Sequence, residues 1–159
     1  MVDRRKVFVS FDYENDREYK SQLEAWGANP RFEFLFADET PGEIDKHNID
    51  RIKAALTARI NEATHTLVIV GKFADTPHPK RTLIGYRNWI NFEIATSRSC
   101  YNKVAAVKID PSYESPEELI TTAWAFTFDE ESIIRAVDQA IQGWAARPDN
   151  VGGGTSNPR

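Results

Sequence analysis

The chain has 159 residues, 41% of them hydrophobic and 28% charged, with eight Gly and eight Pro, the composition of a globular protein of one domain. A chain of this size buries roughly 70% of the surface it exposes when unfolded, and its single cysteine, Cys100, excludes a disulfide framework and a Cys-rich zinc site. The net charge of −4 offers no field for nucleic acid, no apolar run approaches the ~20 residues of a membrane span, and the lack of a signal-peptide pattern makes the cytoplasm the expected compartment.

Lys6-Val7-Phe8-Val9-Ser10-Phe11 is a β-branched and aromatic run that predicts a first strand. Polar Asp12-Tyr13-Glu14-Asn15-Asp16 reads as a loop. The helical pattern after it runs to Trp26, with Asn15 or Asp16 as N-cap and Gly27 and Pro30 as terminators. Arg31 to Phe36 predicts a second strand. Its Phe32, Phe34 and Phe36 alternate with Glu33 and Leu35, a contrast of faces that suits a place near the sheet edge. Asp38 to Gly42 is rich in turn residues, and Ile49, Ile52, Ala55, Leu56 and Ile60 recur at helical spacing.

His65 to Gly71 is the most continuous apolar strand, as expected at the centre of a parallel sheet covered on both faces. Lys72 to Tyr86, with Pro77 and Pro79, is long for a strand-to-helix loop, and such loops are commonly functional. A helix from about Arg87 to Cys100 leads to a strand at Lys103 to Ile109. Ala123 to Phe128 predicts a short last strand, and Asp129 caps a helix carrying Ile133, Ile134, Val137, Ala140, Ile141 and Trp144. The pattern assigns residues 1–146 to the folded domain and 147–159 to a disordered tail.

Strands alternating with helices predict an α/β fold, a flavodoxin-like doubly wound parallel sheet of about five strands. Ligands of such sheets bind beyond the carboxyl ends of the strands. No G-x-G-x-x-G or G-x-x-x-x-G-K-[ST] cradles a phosphate. The loop after the first strand is too bulky and acidic for a flavin phosphate, and Val70-Gly71-Lys72 lacks the aspartate of a phosphoacceptor domain. Three scattered histidines and one cysteine give no metal spacing, and no G-x-S-x-G elbow surrounds Ser10.

The informative constellation is Asn88-Trp89-Ile90-Asn91-Phe92-Glu93-Ile94. With Trp89 at zero on a helical wheel, Glu93 falls at about 40°, between Trp89 and Ile90 at about 100°. The carboxylate therefore sits inside the apolar stripe. A charge there is either paired, with Arg87 the nearest candidate, or placed for chemistry beside the Trp89 indole.

Val7 to Phe11 resembles the first box of TIR domains, Asp38 to Gly42 their loop after the second strand, and Trp89-Ile90-Asn91-Phe92-Glu93 their W-x-x-x-E box. The closer likeness is to the bacterial TIR-like proteins of Thoeris anti-phage defence, and it covers about Lys6 to Phe128. The resemblance implies an enzyme that cleaves the nicotinamide-ribose bond of NAD and makes a cyclic ADP-ribose-type signal for a separate effector protein, with self-association completing the site. NAD is then substrate, and no cofactor or metal is implied. On that reading Glu93 is the catalytic carboxylate, Phe11, Tyr13 and Trp89 wall the nicotinamide and ribose, Asp12 meets a hydroxyl, and Lys72 and Arg81 meet the pyrophosphate. Each has a plainer role available: Phe11 as core, Asp12 as a cap, Lys72 and Arg81 as solvated loop cations, His65 as structure, His78 as loop decoration and Asp38 as a turn stabiliser. Asn88 and Ile90 depart from the serine or cysteine that many TIR enzymes carry beside this tryptophan. The alternative from another class is a non-catalytic module for protein interaction or nucleotide sensing.

Overall fold

The computed structural model describes residues 5–26, 32–37, 46–119 and 123–140, with the side chains of 46 and 47 outside that description. The elements in chain order are β1 (Arg5–Ser10), α1 (Arg17–Ala25), β2 (Phe32–Leu35), α2 (Lys46–Glu62), β3 (His65–Val70), α3 (Arg81–Ile84), α4 (Trp89–Ser99), β4 (Lys103–Lys108), β5 (Trp124–Ala125) and α5 (Glu130–Gln139). The strands form one sheet in the order β2-β1-β3-β4-β5, and every neighbouring pair is parallel. This is the flavodoxin-like, doubly wound α/β domain, with β3 at the centre and β2 at an edge.

The period of two along each strand divides the core into two layers. Val7, Val9, Leu67, Ile69, Ala105 and Val107 face α1 and α5, where Leu23, Ile133, Ala136 and Val137 complete the layer. Phe8, Val68, Val70, Val104 and Ala106 face the other way, against α2 and α4. β3 is buried at all six positions, because helices cover both faces of a central parallel strand. Each of its fully buried Leu, Val and Ile side chains contributes about 1.5–3 kcal/mol of burial free energy. Phe32, Phe34 and Phe36 all pack in the α1/α5 layer and Leu35 in the opposite one, as their alternation requires.

Several boundaries differ from the sequence expectation. The stretch from Lys72 to Tyr86 is not all loop: past Pro79 it forms the one-turn helix α3, which closes on Gly85 in the left-handed conformation at φ 84°, where glycine carries no steric penalty. The last strand shrinks to Trp124–Ala125, since only Ala106 and Val107 of β4 pair with it. Ala55 of α2 is exposed. Gly27, Pro30, Asp38 to Gly42, Ile141, Trp144 and the 147–159 tail lie outside the described residues. Among the described residues no helix is long and apolar enough to cross a membrane.

Candidate active site

The sheet order reverses between β1 and β3: from β1 the chain winds outward to β2, then crosses back to β3 on the opposite side. In this architecture the reversal point, beyond the carboxyl ends of these two strands, is the usual ligand position. Residues 11–16 leave from β1, Gly71 and its successors leave from β3, and α4 packs against both strands.

Asn88 fixes the start of α4. Its Oδ1 accepts from Asn91 N at 2.9 Å, the N-cap bond, while its Nδ2 donates to the carbonyls of Ala74 and Thr76, both at 2.9 Å. A side chain that both caps a helix and ties down two loop carbonyls needs a donor and an acceptor, so the departure to asparagine at this position has a local structural use.

One turn into α4, Glu93 is only 6% exposed. Its Oε1 accepts a 2.6 Å hydrogen bond from Ser10 Oγ at the end of β1. Burial pushes the carboxyl from the usual 4.5 up to about 8, against the smaller opposing pull of the Ser10 hydrogen bond. The pairing with Arg87 does not form. Arg87 Nε instead donates to the Asp75 carbonyl at 2.7 Å and lies 3.5 Å from Asp75 Oδ1, because Arg87 precedes the helix and points along the β3–α3 loop. Among the described residues no cation pairs with Glu93.

The other expected site residues are divided by the sheet. Phe11 is 7% exposed and belongs to the α1/α5 layer, edge-on to Phe36 with centroids 6.4 Å apart. Tyr13 stacks on it at 5.5 Å and carries the Arg17 guanidinium 5.1 Å from its centroid. Trp89 packs with the α2/α4 layer, edge-on to Phe92 at 5.7 Å, and its indole Nε1 is buried without a partner. Asp12 organises its own loop: Oδ1 accepts from the backbone N–H groups of Glu14 and Asn15 at 3.1 and 3.3 Å, and Oδ2 from Asn15 Nδ2 at 2.7 Å.

Lys72 and Arg81 are exposed and line different clefts. Lys72 borders one of about 500 Å³ with Asp75, Ser112 and Tyr113; Arg81 borders one of about 580 Å³ with Tyr86, Glu117 and Glu118. Arg87 lines both. The structure thus brings together Ser10 with Glu93, Phe11 with Tyr13 and Trp89 with Phe92, and it separates Lys72 from Arg81. His65 is buried, and its burial lowers the imidazole to about 4, with Arg5 and Lys103 adding to the effect. His78 Nδ1 accepts from Lys80 N at 2.9 Å within the loop.

Sequence reasoning did not assign two polar residues near the carboxyl ends of β1 and β3. Ser10 carried a signal, a hydroxyl at a strand position whose alternation points it at α4. Asp16 gave none beyond that of an ordinary helix cap. It stands at the N-cap position of α1 yet makes no side-chain capping bond; it is 7% exposed, and its Oδ2 is buried without a partner. Burial, with Asp12 and Glu18 nearby, raises its carboxyl from 3.8 to about 6. Among the described residues no group of three or more His, Cys, Asp or Glu side chains is disposed to hold a metal ion.

No curated protein matches the chain. The family model for the Thoeris protein ThsB, TIR-like domain, matches residues 8–114, a span that runs from β1 past β4 and contains Ser10, Asp16, Gly71 and Glu93. With well over half of the chain matched and the sheet order of a flavodoxin-like TIR fold, the protein belongs to the Thoeris ThsB TIR-like domain family.

Proposed function

We propose that the protein cleaves the nicotinamide-ribose bond of NAD and passes the ADP-ribosyl product on as a cyclic ADP-ribose-type signal to a separate effector. Membership of the ThsB TIR-like family supports a general NAD-related signalling role. The observation that carries the finer reading is Glu93, a carboxyl buried in an apolar stripe, held by Ser10 and paired with no cation among the described residues. Burial of that kind is costly for a structural residue and is common where a carboxylate works on substrate.

The chemistry suits one carboxylate. The glycosidic C–N bond breaks with its electron pair going to the pyridinium nitrogen, so nicotinamide leaves neutral and needs no proton. Positive charge develops on the ribose carbon and ring oxygen, and a carboxylate beside it lowers that barrier. Water then attacks the carbon and loses a proton to give ADP-ribose, or a nucleophile on the adenine end of the same molecule attacks to close a ring. Free Glu93 is largely protonated at neutral pH, and the cationic pyridinium of NAD favours its ionised form, so substrate binding prepares the anion. Ser10 keeps Oε1 oriented, Trp89, on the same helix as Glu93 and on the same side of the sheet, is the aromatic wall for the sugar, and Asp12 holds the loop that carries Tyr13 at the opposite layer. Lys72 is nearer than Arg81 in sequence to the end of β3 and is the better-placed pyrophosphate contact. Self-association between copies completes the site.

A second reading, a module that binds a nucleotide or partner without cleaving it, draws on the 6% exposure of Glu93. Purified protein incubated with NAD at high concentration, with nicotinamide followed by chromatography, separates the two. Release by the wild type and none by Glu93→Gln is the expected result, and the mass of the product tells ADP-ribose from its cyclised isomer. Absence of release in both favours the binding module.

A further inference from the structure

Asp16 and Gly71 meet across the gap between the carboxyl ends of β1 and β3. An aspartate at an N-cap ordinarily accepts from a backbone N–H two or three residues on. Asp16 gives up that bond and lays its carboxylate against the Gly71 backbone, so closely that a Cβ on residue 71 would collide with both carboxylate oxygens. The pose is costly, because it leaves Oδ2 buried with no donor. The cations of the first turn of α1 and the one beside Gly71 are engaged elsewhere: Arg17 donates to the Tyr13 carbonyl at 3.0 Å and covers the Tyr13 ring, Lys20 lies over the rings of Tyr13 and Phe36, and Lys72 lies over the Phe73 ring. Asp12 is spent on its loop, whose geometry delivers Asp16, since Asp16 N donates to the Asp12 carbonyl at 2.8 Å.

The chemistry of this orphan selects its partner. Asp12 and Glu18 are the charges acting on Asp16, so a phosphate would be repelled. A carboxylate presents two acceptors and no donor, and the vicinal hydroxyls of a ribose supply two neutral donors at matching spacing. We infer that Asp16 receives a ribose of the bound nucleotide, its carboxylate accepting the sugar hydroxyls at the carboxyl ends of β1 and β3, with Gly71 leaving the space in which it does so. The inference rests on the function proposed above for the identity of the nucleotide as NAD.

Calorimetric titration of the Glu93→Gln protein, which binds without turnover, tests this with NAD and with the two NAD analogues that lack the 2′-hydroxyl on one ribose or the other. The expected result is NAD affinity about tenfold above that for one of the analogues, with Asp16→Ala in the same background weakening NAD to the level of that analogue and abolishing the discrimination. Gly71→Ala, which displaces the carboxylate without removing it, should act in the same direction. Should Asp16→Ala fail to unfold cooperatively, Asp16→Asn takes its place, with a severalfold loss expected. A folded Asp16 variant that binds NAD as tightly as its parent, or that still discriminates between NAD and the analogue, overturns the inference, as does a Glu93→Gln protein that binds no NAD at millimolar concentration. The two readings fail separately. Hydroxyl-dependent binding without nicotinamide release by the wild type removes the reaction and keeps the role of Asp16, whereas release by Asp16→Ala at an unaltered KM does the reverse.

Discussion

Two helices of this domain begin at an aspartate, and the two aspartates do opposite things. At the start of α5, Asp129 accepts from Ser132 N at 2.8 Å and Ser132 Oγ at 3.0 Å, and Glu130 and Glu131 add negative charge to the positive end of the helix. At the start of α1, Asp16 makes no side-chain cap, and its Oδ2 is buried without a donor. The α5 end spends its side chain on capping its own helix; the α1 end lays its carboxylate against Gly71 at the end of β3. Residue type alone does not tell the two apart; the forgone local bond does.

Five substitutions put this difference to the test. Asp16 has a folded-state value of about 6 against 3.8 when free, so the stability it contributes is present below 3.8 and is lost as pH rises through 6. Asp16→Asn should therefore unfold at higher denaturant than the wild type at pH 8, by on the order of 2–3 kcal/mol, with the gain gone near pH 3.5. A variant no more stable at pH 8 would mean that Asp16 has a partner after all. Asn88→Ala removes a cap and two carbonyl bonds, and thermal unfolding should register a loss of about 2 kcal/mol. Asp129→Ala, the ordinary cap, should cost about 1 kcal/mol by the same measurement, opposite in sign to Asp16→Asn. The smallest effects belong to the exposed cations: Lys72→Ala should raise the KM for NAD by roughly threefold, and Arg81→Ala should leave it within twofold, because the two line separate clefts and exposed charges contribute below about 1 kcal/mol. Equal effects of the two in steady-state kinetics would mean that the clefts join in the complex.

Much of the fold was legible because it is written locally. The unbroken apolar run at Thr66 to Val70 marks the central strand, the alternation of Phe32, Phe34 and Phe36 marks the edge, and α4 and α5 keep their spacing. Glu93 was legible as a carboxylate in an apolar stripe. Its partner was not: proximity in the chain suggested Arg87, while the bond goes to Ser10, 83 residues away, across a contact that only the sheet order creates. Asp16 and Asp129 look alike as letters before a helix, and what separates them is Gly71, brought alongside Asp16 by the crossover from α2 into β3. The turn of helix at Arg81–Ile84 was hidden behind Pro77 and Pro79, and it carries Arg81 away from Lys72.

If the buried Glu93 carboxyl acts on the substrate in its ionised form, as proposed above, the pH dependence of kcat/KM for nicotinamide release must report its titration. Free Glu93 titrates at about 8, so kcat/KM should climb about tenfold per pH unit from pH 6, level off above 8, and vanish in Glu93→Gln at every pH. A profile that is flat from pH 6 to 9, or that falls across that range, would contradict the assignment of Glu93 as the working carboxylate.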